Sequence, residues 1–368
     1  MTNITQPNPS EPTETPSPLD RTLARHPRPL GGDPIRNAKP TISLSGQILN
    51  NEGDAVQHIA PKRKPDWLRA KMPGGQAFRD TKANMRTNGL HTVCEEAACP
   101  NIGECWDRGV ATIMILGDTC TRACGFCNVK TGKPPVTDRD EPRRVADSLK
   151  GLGLKHVVIT SVDRDDLPDG GASLWAETII RVRDACPDMS LEVLIGDFKG
   201  DEAALQMVID AKPTIIAHNL ETVARCHPAV RPSARYDRTM ELLRRVKAQG
   251  GIAKTSVMVG IGERKQEVFE LIEDLVRITS DHAGKRDPSD TSDTPRADPC
   301  DIVTFGQYLQ PTRNHLPLDR WVHPDEFAEY EAAGKAAGIK SVFSGPLVRS
   351  SYLADKQAEG ILAELNTK

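Results

Sequence analysis

The chain has few aromatic residues, little net charge and no long apolar run, and each of these shortages argues against a class of function. Aromatic side chains make up only 4% of the 368 residues, too few for the stacking surfaces that hold nucleic-acid bases. The formal net charge of -3 gives no sign of a nucleic-acid partner either. No apolar stretch reaches the roughly 18 residues that a membrane-spanning helix needs. We therefore expect neither nucleic acid nor a membrane as a partner.

No pattern of a secretory signal is visible at the start of the chain, and this affects how its cysteines are interpreted. Six of the nine cysteines fall within residues 94–127, as Cys-x4-Cys-x5-Cys followed by Cys-x3-Cys-x2-Cys. Clustered cysteines without such a signal favour metal binding, and an odd total does not fit complete disulfide pairing. Because thiolates must stay reduced to bind iron, we expect a cytoplasmic protein. A mitochondrial matrix location is less favoured, since Glu11, Glu14 and Asp20 lie among prolines where a transit peptide needs an Arg-rich helix.

The second cysteine triplet comprises Cys120, Cys124 and Cys127. It directly follows the apolar run at residues 111–118, which predicts a buried strand. Three thiolates are one short of a closed zinc site, whereas on a four-iron cluster they leave one iron open to another ligand. A zinc knuckle or inert core thiols would be the alternative. The spacing and its position after a strand resemble the signature of the radical S-adenosylmethionine enzymes, in which S-adenosylmethionine binds the open iron.

The first triplet comprises Cys94, Cys99 and Cys105, and its spacing alone leaves an ordinary structural cluster or a zinc site open. The flanking sequences KPDWLR at 64–69 and CEEAACPNIGECW at 94–106 make the match more specific. Together with RSSY near the carboxyl terminus, they resemble the lipoyl synthase family from about residue 60 to the end of the chain. This resemblance implies that the first triplet binds an auxiliary four-iron cluster.

The RSSY sequence occupies residues 349–352. A serine before an Ala-rich helical stretch is by itself most simply a helix N-cap. The resemblance instead implies that Ser351, in preference to Ser350, is the fourth ligand of the auxiliary cluster.

Apolar and helical patterns alternate from residue 111 onward. The strand candidates are residues 111–116, 156–162, 191–196, 214–219, 254–260 and 301–307. The helical patterns lie near residues 142–151, 172–186, 202–211, 221–227, 236–249 and 265–279. This alternation predicts an α/β fold of right-handed parallel βαβ units, either an open doubly wound sheet or a partial barrel. The resemblance selects a partial (β/α)6 TIM-type barrel, with N-terminal and C-terminal extensions closing over the barrel mouth.

The chain divides into four predicted segments. Residues 1–60 are Pro-rich and read as a disordered tail, and residues 61–110 read as an N-terminal extension whose cysteine-rich stretch has little regular pattern. Residues 111–320 form the barrel, interrupted by a polar insert at 280–299 that predicts a flexible loop. Residues 321–368 form a C-terminal extension, with a helix near 325–337 and a short strand before RSSY.

Candidate cofactor-binding residues lie within or just after the second, third and fourth predicted strands. The glycine pair within residues 161–172 permits close approach of the backbone to a ligand, with a polar turn as the alternative. Glu192 and Asn219 are candidates for binding the ribose or the carboxylate of the cofactor, with a structural role equally open.

What the family resemblance implies chemically is a transferase acting on an octanoyl group attached to a lysine of a lipoyl carrier domain. Sulfur is inserted at C6 and C8, and hydrogen at such unactivated carbons can be removed only by a radical that a cofactor supplies. The implied cofactors are two 4Fe–4S clusters and S-adenosylmethionine, with the auxiliary cluster as the sulfur source. Cys120, Cys124, Cys127 and Ser351 are thus the implied catalytic residues.

The resemblance also implies macromolecular partners. The carriers would be E2 subunits of 2-oxoacid dehydrogenases and the glycine cleavage H protein, and the reductant a ferredoxin or flavodoxin. A biotin-synthase-like sulfur inserter remains a competing interpretation. A non-catalytic iron–sulfur or zinc scaffold is a third, although it would need neither a six-stranded barrel nor an open iron.

Overall fold

The computed structural model describes most of the chain from residue 63 onward. The described residues are 63–70, 74–108, 110, 112–150, 152, 154–278 and 300–366. The predicted disordered tail at 1–60 and the predicted flexible insert at 280–299 lie outside the described residues.

Of the ten strands in the described residues, eight form one sheet, and seven consecutive members of that sheet are parallel. The strands are β1 (His91–Thr92), β2 (Thr112–Ile115), β3 (Thr119–Cys120), β4 (Lys130–Thr131), β5 (His156–Ser161), β6 (Ser190–Leu194), β7 (Ile215–Ala217), β8 (Ile252–Val259), β9 (Ile302–Gln307) and β10 (Ser341–Gly345). The order is β1-β2-β5-β6-β7-β8-β9-β10, with β1 antiparallel to β2, while β3 and β4 form a separate parallel pair. The six predicted strands correspond to β2 and β5 to β9.

The strand order distinguishes between the two predicted architectures. From β2 to β10, each strand of the large sheet lies beside the one that follows it in the chain. A doubly wound sheet would instead reverse direction at a switch point. Within the described residues no ladder joins β10 to β1, so the sheet curves as a partial barrel that is open on one side.

Alternation along the strands separates an outer core from the barrel interior. Leu191 and Val193 of β6 belong to the main apolar cluster, which also contains the inward faces of the surrounding helices. Since side chains of a strand alternate between its two faces, Glu192 points to the barrel interior. Parallel strands that are covered on both faces have nearly continuous apolar sequences, as Ile113-Met114-Ile115 illustrates with exposures of 0, 2 and 1%.

Eleven α-helices surround or extend the sheet in the described part of the chain. They are α1 (Gln76–Thr87), α2 (Val93–Glu96), α3 (Ile102–Asp107), α4 (Glu141–Lys150), α5 (Ala172–Ala185), α6 (Glu202–Asp210), α7 (His227–Val230), α8 (Tyr236–Ala248), α9 (Lys265–Val276), α10 (Pro324–Ala336) and α11 (Ala354–Asn366). None of these helices is long and apolar enough to cross a lipid bilayer.

The prediction of a helix at 221–227 is wrong. Glu221 has a left-handed φ of +66° and exchanges backbone hydrogen bonds with β8, through Ser256 O and the Met258 N–H. This pairing extends the strand register past β7, so that only the short α7 remains helical at the end of the segment. Tertiary hydrogen bonding here overrides a local helical pattern.

The prediction of little regular pattern in the cysteine-rich stretch is also wrong, because α2 and α3 lie there, with α1 before them. Thr92 caps α2 by accepting a hydrogen bond from the Glu95 N–H at 3.3 Å. Trp106 of α3 is fully buried and packs against Phe78 of α1, with ring centroids 5.1 Å apart. A small satellite core therefore supports these helices, in addition to any metal.

The two extensions contact each other across the open side of the sheet. Asn101 donates from Nδ2 to Leu347 O at 2.6 Å, and Arg108 pairs with Asp355 at 2.9 Å. At the amino ends of the strands, α11 buries Ala358 and Ile361 in a cluster with the first residues of β7, β8 and β9. The C-terminal extension thus runs from the carboxyl ends of the strands to their amino ends.

Candidate metal centres

The second cysteine triplet lies in the loop between β2 and β5, at the carboxyl end of the barrel. Cys120 ends β3, and its Sγ accepts hydrogen bonds from the backbone N–H of Arg122 at 3.4 Å and of Asp163 at 3.3 Å. Cys127 closes a turn through its N–H to Cys124 O at 3.1 Å. The short strand and the turn therefore hold the three cysteines of this triplet within one loop.

Burial strongly disfavours the ionised form of these thiols. It raises the pKa of Cys120 to about 12 and of Cys124 to about 11, and it raises the pKa of Cys127 still further. Metal binding must therefore displace the protons, as is general for thiolate ligands. The sequence could not indicate this burial.

A buried charge network holds the cysteine loop in place. The Arg122 guanidinium pairs with Asp165 at 2.8 Å and with Asp197 at 2.7 Å, and lies 3.6 Å from Asp163. Although burial opposes ionisation, Arg122 holds the pKa of the Asp197 carboxyl well below its usual range, together with His218 at the low pH where that imidazole is protonated. The loop is thus fixed to the carboxyl ends of β5 and β6.

Polar side chains lie around the second triplet, and the sequence analysis did not single out two of them, Glu221 and Arg231. Burial raises the pKa of Glu221, while the Arg231 guanidinium opposes that rise and also lowers the pKa of Cys124. Two buried atoms, Asn219 Oδ1 and Arg231 Nε, have no hydrogen-bond partner within the described residues. Such unpaired groups are unusual in a native interior and fit a polar ligand that supplies their partners.

A cluster of strained residues marks the same end of the barrel. Left-handed φ angles occur at Leu116 after β2, at Phe198 and Lys199 after β6, and at Glu221 after β7. Non-glycine residues in this conformation cost free energy and concentrate at functional sites. The positive φ of Glu221 marks this residue as a candidate for a functional role, and the sequence gives no sign of that conformation.

The predicted candidates Glu192 and Asn219 are not brought together. Glu192 is 1% exposed, both of its carboxylate oxygens accept from Lys254 Nζ at 2.7 Å, and His156 Nε2 lies 3.7 Å away. Burial opposes its ionisation, but Lys254 prevails and lowers the pKa of the carboxyl. Glu192 thus lies in an ion pair inside the barrel, and its contact with a cofactor stays a prediction. Asn219 donates from Nδ2 to Glu221 at 3.0 Å, and Glu221 is an acidic neighbour of Cys124 and Cys127, so the role of Asn219 at a cofactor also stays a prediction.

The predicted glycine pair serves packing in the described structure. Gly171 has φ +89°, and a Cβ there would meet Leu116 Cδ1 at 2.6 Å. Gly170 has φ +60° and approaches Phe198. The close neighbours of both glycines are therefore side chains of the loops after β2 and β6, whereas Asp163, at the start of the same segment, faces the cysteine loop.

The first triplet lines a separate pocket on the open side of the sheet. The residues around it are Cys94, Cys99, Asn101, Ile102, Cys105, Val110, Thr112, Arg349, Ser351 and Tyr352. Thr112 begins β2 and the last three follow β10, so the pocket bridges the two edges of the partial barrel. Ser351 is among the lining residues and Ser350 is not.

The environment of the first pocket fits a ligand that accepts hydrogen bonds. Burial raises the pKa of Cys94 to about 11 and of Cys105 to about 12, while the Leu353 backbone N–H partly offsets the rise at Cys105. The Trp106 indole nitrogen is buried and donates toward the Cys94 sulfur, which partly offsets the rise in the pKa of that thiol. The same donor would favour a thiolate at this position on a bound cluster.

The remaining cysteines have no such surroundings. Cys226 and Cys300 are buried in the main core, Cys186 packs against it, and all nine cysteines are free thiols. In the described residues, no three His, Cys, Asp or Glu side chains converge on the position of one metal ion. A four-iron cluster places its three thiolates on three different irons, so its ligands stand further apart.

Two family models match parts of the chain. Residues 114–275 match the family model described as the radical SAM superfamily, and residues 29–99 match the N-terminal domain of lipoyl synthase. The second match begins within the predicted tail. Among solved structures, Streptococcus suis SuiB bound to its precursor peptide SuiA has a TM-score of 0.48 at 12% identity, covering 73% of this chain and 52% of that chain.

Similarity to individual relatives extends over most of the chain. A lipoyl synthase of Rubrobacter xylanophilus is 50% identical over 298 residues, which cover 80% of this chain and 87% of the relative. A lipoyl synthase of Shouchella clausii is 50% identical over 312 residues, which cover 84% of this chain and 94% of the relative. The prediction from the cysteine spacing and RSSY is thereby confirmed: the chain belongs to the lipoyl synthase family of radical S-adenosylmethionine enzymes.

Proposed function

We propose that this protein inserts two sulfur atoms, at C6 and C8, into an octanoyl group carried on a protein lysine, with its two cysteine triplets holding two different 4Fe–4S clusters. Cys120, Cys124 and Cys127 hold the cluster that binds S-adenosylmethionine. Cys94, Cys99, Cys105 and Ser351 hold the auxiliary cluster. The observation that carries the proposal is the separation of the six thiols into two sites, one at the barrel mouth and one lined from both sheet edges.

When bound, these groups supply the electron, the hydrogen-abstracting 5′-deoxyadenosyl radical and the sulfur that no side chain can supply. The residues of the chain have the tasks of binding, orienting and shielding. Arg122 and its three aspartates fix the cysteine loop, while the barrel wall excludes water from the site. Buried thiols of raised pKa bind a cluster only by releasing protons, so assembly is favoured at higher pH.

S-adenosylmethionine carries a carboxylate, an amino group and a ribose that need polar partners. We assign Arg231 to the carboxylate, because its buried Nε lacks an acceptor in the described structure. Asn219 Oδ1 and the Glu221 carboxylate offer side-chain acceptors to the ribose hydroxyl groups or to the amino group. Glu192 is a weaker candidate, since Lys254 already satisfies both of its oxygens.

The decisive experiment is anaerobic reconstitution followed by a single-turnover assay. Iron and sulfide are quantified, then S-adenosylmethionine, dithionite and an octanoyl-lysine peptide are added, and the peptide is followed by mass spectrometry. We expect about eight irons per chain, from two four-iron clusters, and a product that has gained two sulfur atoms.

Two matched triple variants assign the clusters. Replacing the second triplet by alanine should abolish cleavage of S-adenosylmethionine. Replacing the first triplet should preserve cleavage to 5′-deoxyadenosine but abolish sulfur gain. Wild-type protein with four irons, or with cleavage but no sulfur gain, would contradict the proposal and favour another radical S-adenosylmethionine enzyme. Absence of cleavage in a fully loaded protein would favour the non-catalytic scaffold.

The natural substrate is a lipoyl carrier domain, and we propose both E2 subunits of 2-oxoacid dehydrogenases and the glycine cleavage H protein as carriers. Their shared feature is an octanoylated lysine on a small folded domain. We propose further that a ferredoxin or flavodoxin is the electron donor and that the enzyme works in the cytoplasm. Turnover with each octanoylated carrier and each reductant, compared with peptide and dithionite, tests these assignments.

A further inference from the structure

The pocket formed by the first triplet contains a cation with no role in ligation. Among the described residues that line this pocket, Arg349 is the one positively charged side chain. It precedes Ser351 in a turn that the Tyr352 N–H closes on Arg349 O at 3.1 Å. The buried Gln357 side chain donates to Tyr352 O at 2.6 Å and so fixes the turn to α11. The same turn therefore fixes the backbone positions of both Arg349 and Ser351.

The guanidinium of Arg349 has no carboxylate partner within the described residues. Its Nη1 donates to Val348 O at 2.6 Å, which leaves four of its five N–H donors for other acceptors. Arg349 is partly buried, and Cys99 is the ionisable group of the pocket whose charge acts on its guanidinium. An anionic occupant of the pocket would pair this cation and accept hydrogen bonds from its remaining donors.

A four-iron cluster supplies that anion. Three thiolates and one alkoxide around a core of about two positive charges leave roughly two negative charges in a partly buried pocket. Arginine offers several donors in a planar fork and stays charged at any working pH. Hydrogen bonds and nearby charge at cluster sulfurs are among the factors that set cluster stability and potential.

We propose that Arg349 is a positioning residue that compensates the charge of the auxiliary cluster and donates hydrogen bonds to its sulfur on the Cys99 side. This inference rests on the proposed function, because it presumes a cluster in the pocket of the first triplet. Removing the cation should destabilise the more negative, reduced cluster. It should also expose the cluster to loss of iron.

The test uses full-length protein in which the second triplet is replaced by alanine, so that only the auxiliary cluster contributes signal. R349Q removes the charge, and R349K keeps it without the fork. We expect a more negative midpoint potential in R349Q by spectroscopic redox titration, and iron release to a chelator about tenfold faster, the usual scale for loss of an outer partner. R349K should lie closer to the parent protein in both measurements.

A matched control is R108Q, because Arg108 joins the same two extensions but already pairs with Asp355 at 2.9 Å. It should leave potential and release rate unchanged. Equal values for R349Q and its parent, or equal shifts in R108Q and R349Q, would overturn the inference. If R349Q assembles no cluster, assembly in R349K supports a role for charge, and failure of both variants overturns it. Wild-type protein with a single cluster would instead refute the proposed function itself.

Discussion

At the scale of single residues, the two serines of RSSY occupy neighbouring positions with different surroundings. Ser350 and Ser351 are the central residues of the turn from Arg349 to Tyr352, but only Ser351 is among the residues that line the first-triplet pocket in the described structure. We expect Ser351→Ala to lose iron selectively from the auxiliary cluster, because one iron then lacks a protein ligand. Iron analysis and electron paramagnetic resonance of the reduced protein measure this. Ser350→Ala is the matched control, and a larger loss of iron there would reverse the assignment.

A second residue-scale prediction concerns His218, which is buried and neutral. Its Nδ1 contacts Ile195 O at 2.7 Å, its Nε2 contacts Thr239 Oγ1 at 3.2 Å, and burial lowers its pKa to about 3. At pH values between about 3 and the ordinary pKa of 6.5, His218 is protonated in the unfolded chain but neutral in the folded chain. The free energy of unfolding should therefore fall with decreasing pH, by up to about 1.4 kcal/mol per pH unit for this group.

Urea unfolding of cluster-free protein between about pH 5.5 and 7.5, above the range where most carboxyl groups titrate, measures that slope. His218→Gln lacks the titrating group and should show a shallower slope, whatever its absolute stability. His227, whose pKa burial lowers to about 4, remains in the variant and contributes in the same direction. An unchanged slope in His218→Gln would contradict the prediction.

Residue types and spacing are enough to identify both candidate metal centres, because cluster ligation needs cysteines at short intervals. The polar side chains around the second triplet were harder to predict. Asp163, Glu221 and Arg231 come from three separate segments, and only the barrel geometry brings them to the second triplet. Glu192 was a reasonable candidate by its place on a strand, but its side chain pairs with Lys254, 62 residues later in the chain. A single sequence contains no direct sign of such a pair.

At the scale of elements, the close contact between β9 and the segment after β10 requires glycine at position 306, because any side chain there would collide with that segment. A Cβ on Gly306 would lie 2.1 Å from Val348 O and 3.2 Å from Arg349 Nη1. Its partner in the ladder, Gly345, would place a Cβ 3.4 Å from Val348 Cγ2, which is ordinary contact. Gly306→Ala should therefore displace the turn that carries Ser351, whereas Gly345→Ala should not.

The expected result for Gly306→Ala is loss of the auxiliary cluster with retention of the other. Iron per chain should fall by about half, while cleavage of S-adenosylmethionine continues. If Gly345→Ala lost as much iron as Gly306→Ala, steric displacement of the turn could not be the cause.

Secondary structure was predicted well where one periodicity extended over a whole element, as in β5 or α5. It failed where elements were short and depended on neighbours. The helices α2 and α3 have four and six residues, and they form because Trp106 and the buried cysteines supply a local core. The stretch at 221–227 has a helical pattern, yet its backbone pairs with β8.

At the scale of the whole molecule, the described residues on either side of the predicted insert at 280–299 are held together by a hydrogen bond. The Cys300 N–H donates to Leu275 O at 3.1 Å, close to the end of α9, and β9 begins two residues later. Both residues lie near the amino end of β9, whereas active sites of barrels lie at the carboxyl ends of the strands. Replacing residues 280–299 by a short Gly-Ser linker should therefore leave the iron content and turnover unchanged.

The assay of the proposed function measures this directly, with thermal unfolding as the control for folding. A large loss of turnover with both clusters present would give the insert a role in catalysis or carrier binding.

Strand order was predicted only as far as parallel βαβ units, since the same alternation suits open and barrel-like sheets. The choice between them required either family resemblance or coordinates.

The open side of the sheet has a further consequence. In the described residues, the β1 and β10 edges carry backbone groups without a ladder partner on that side, the kind of surface through which proteins aggregate. Without any metal, the described direct contacts Asn101–Leu347, Arg108–Asp355 and Tyr352–Glu104 join the two extensions across this gap. A cluster held by the first triplet and Ser351 would add a link between the same two extensions, so its loading would tighten the closure of the sheet as well as arm the chemistry.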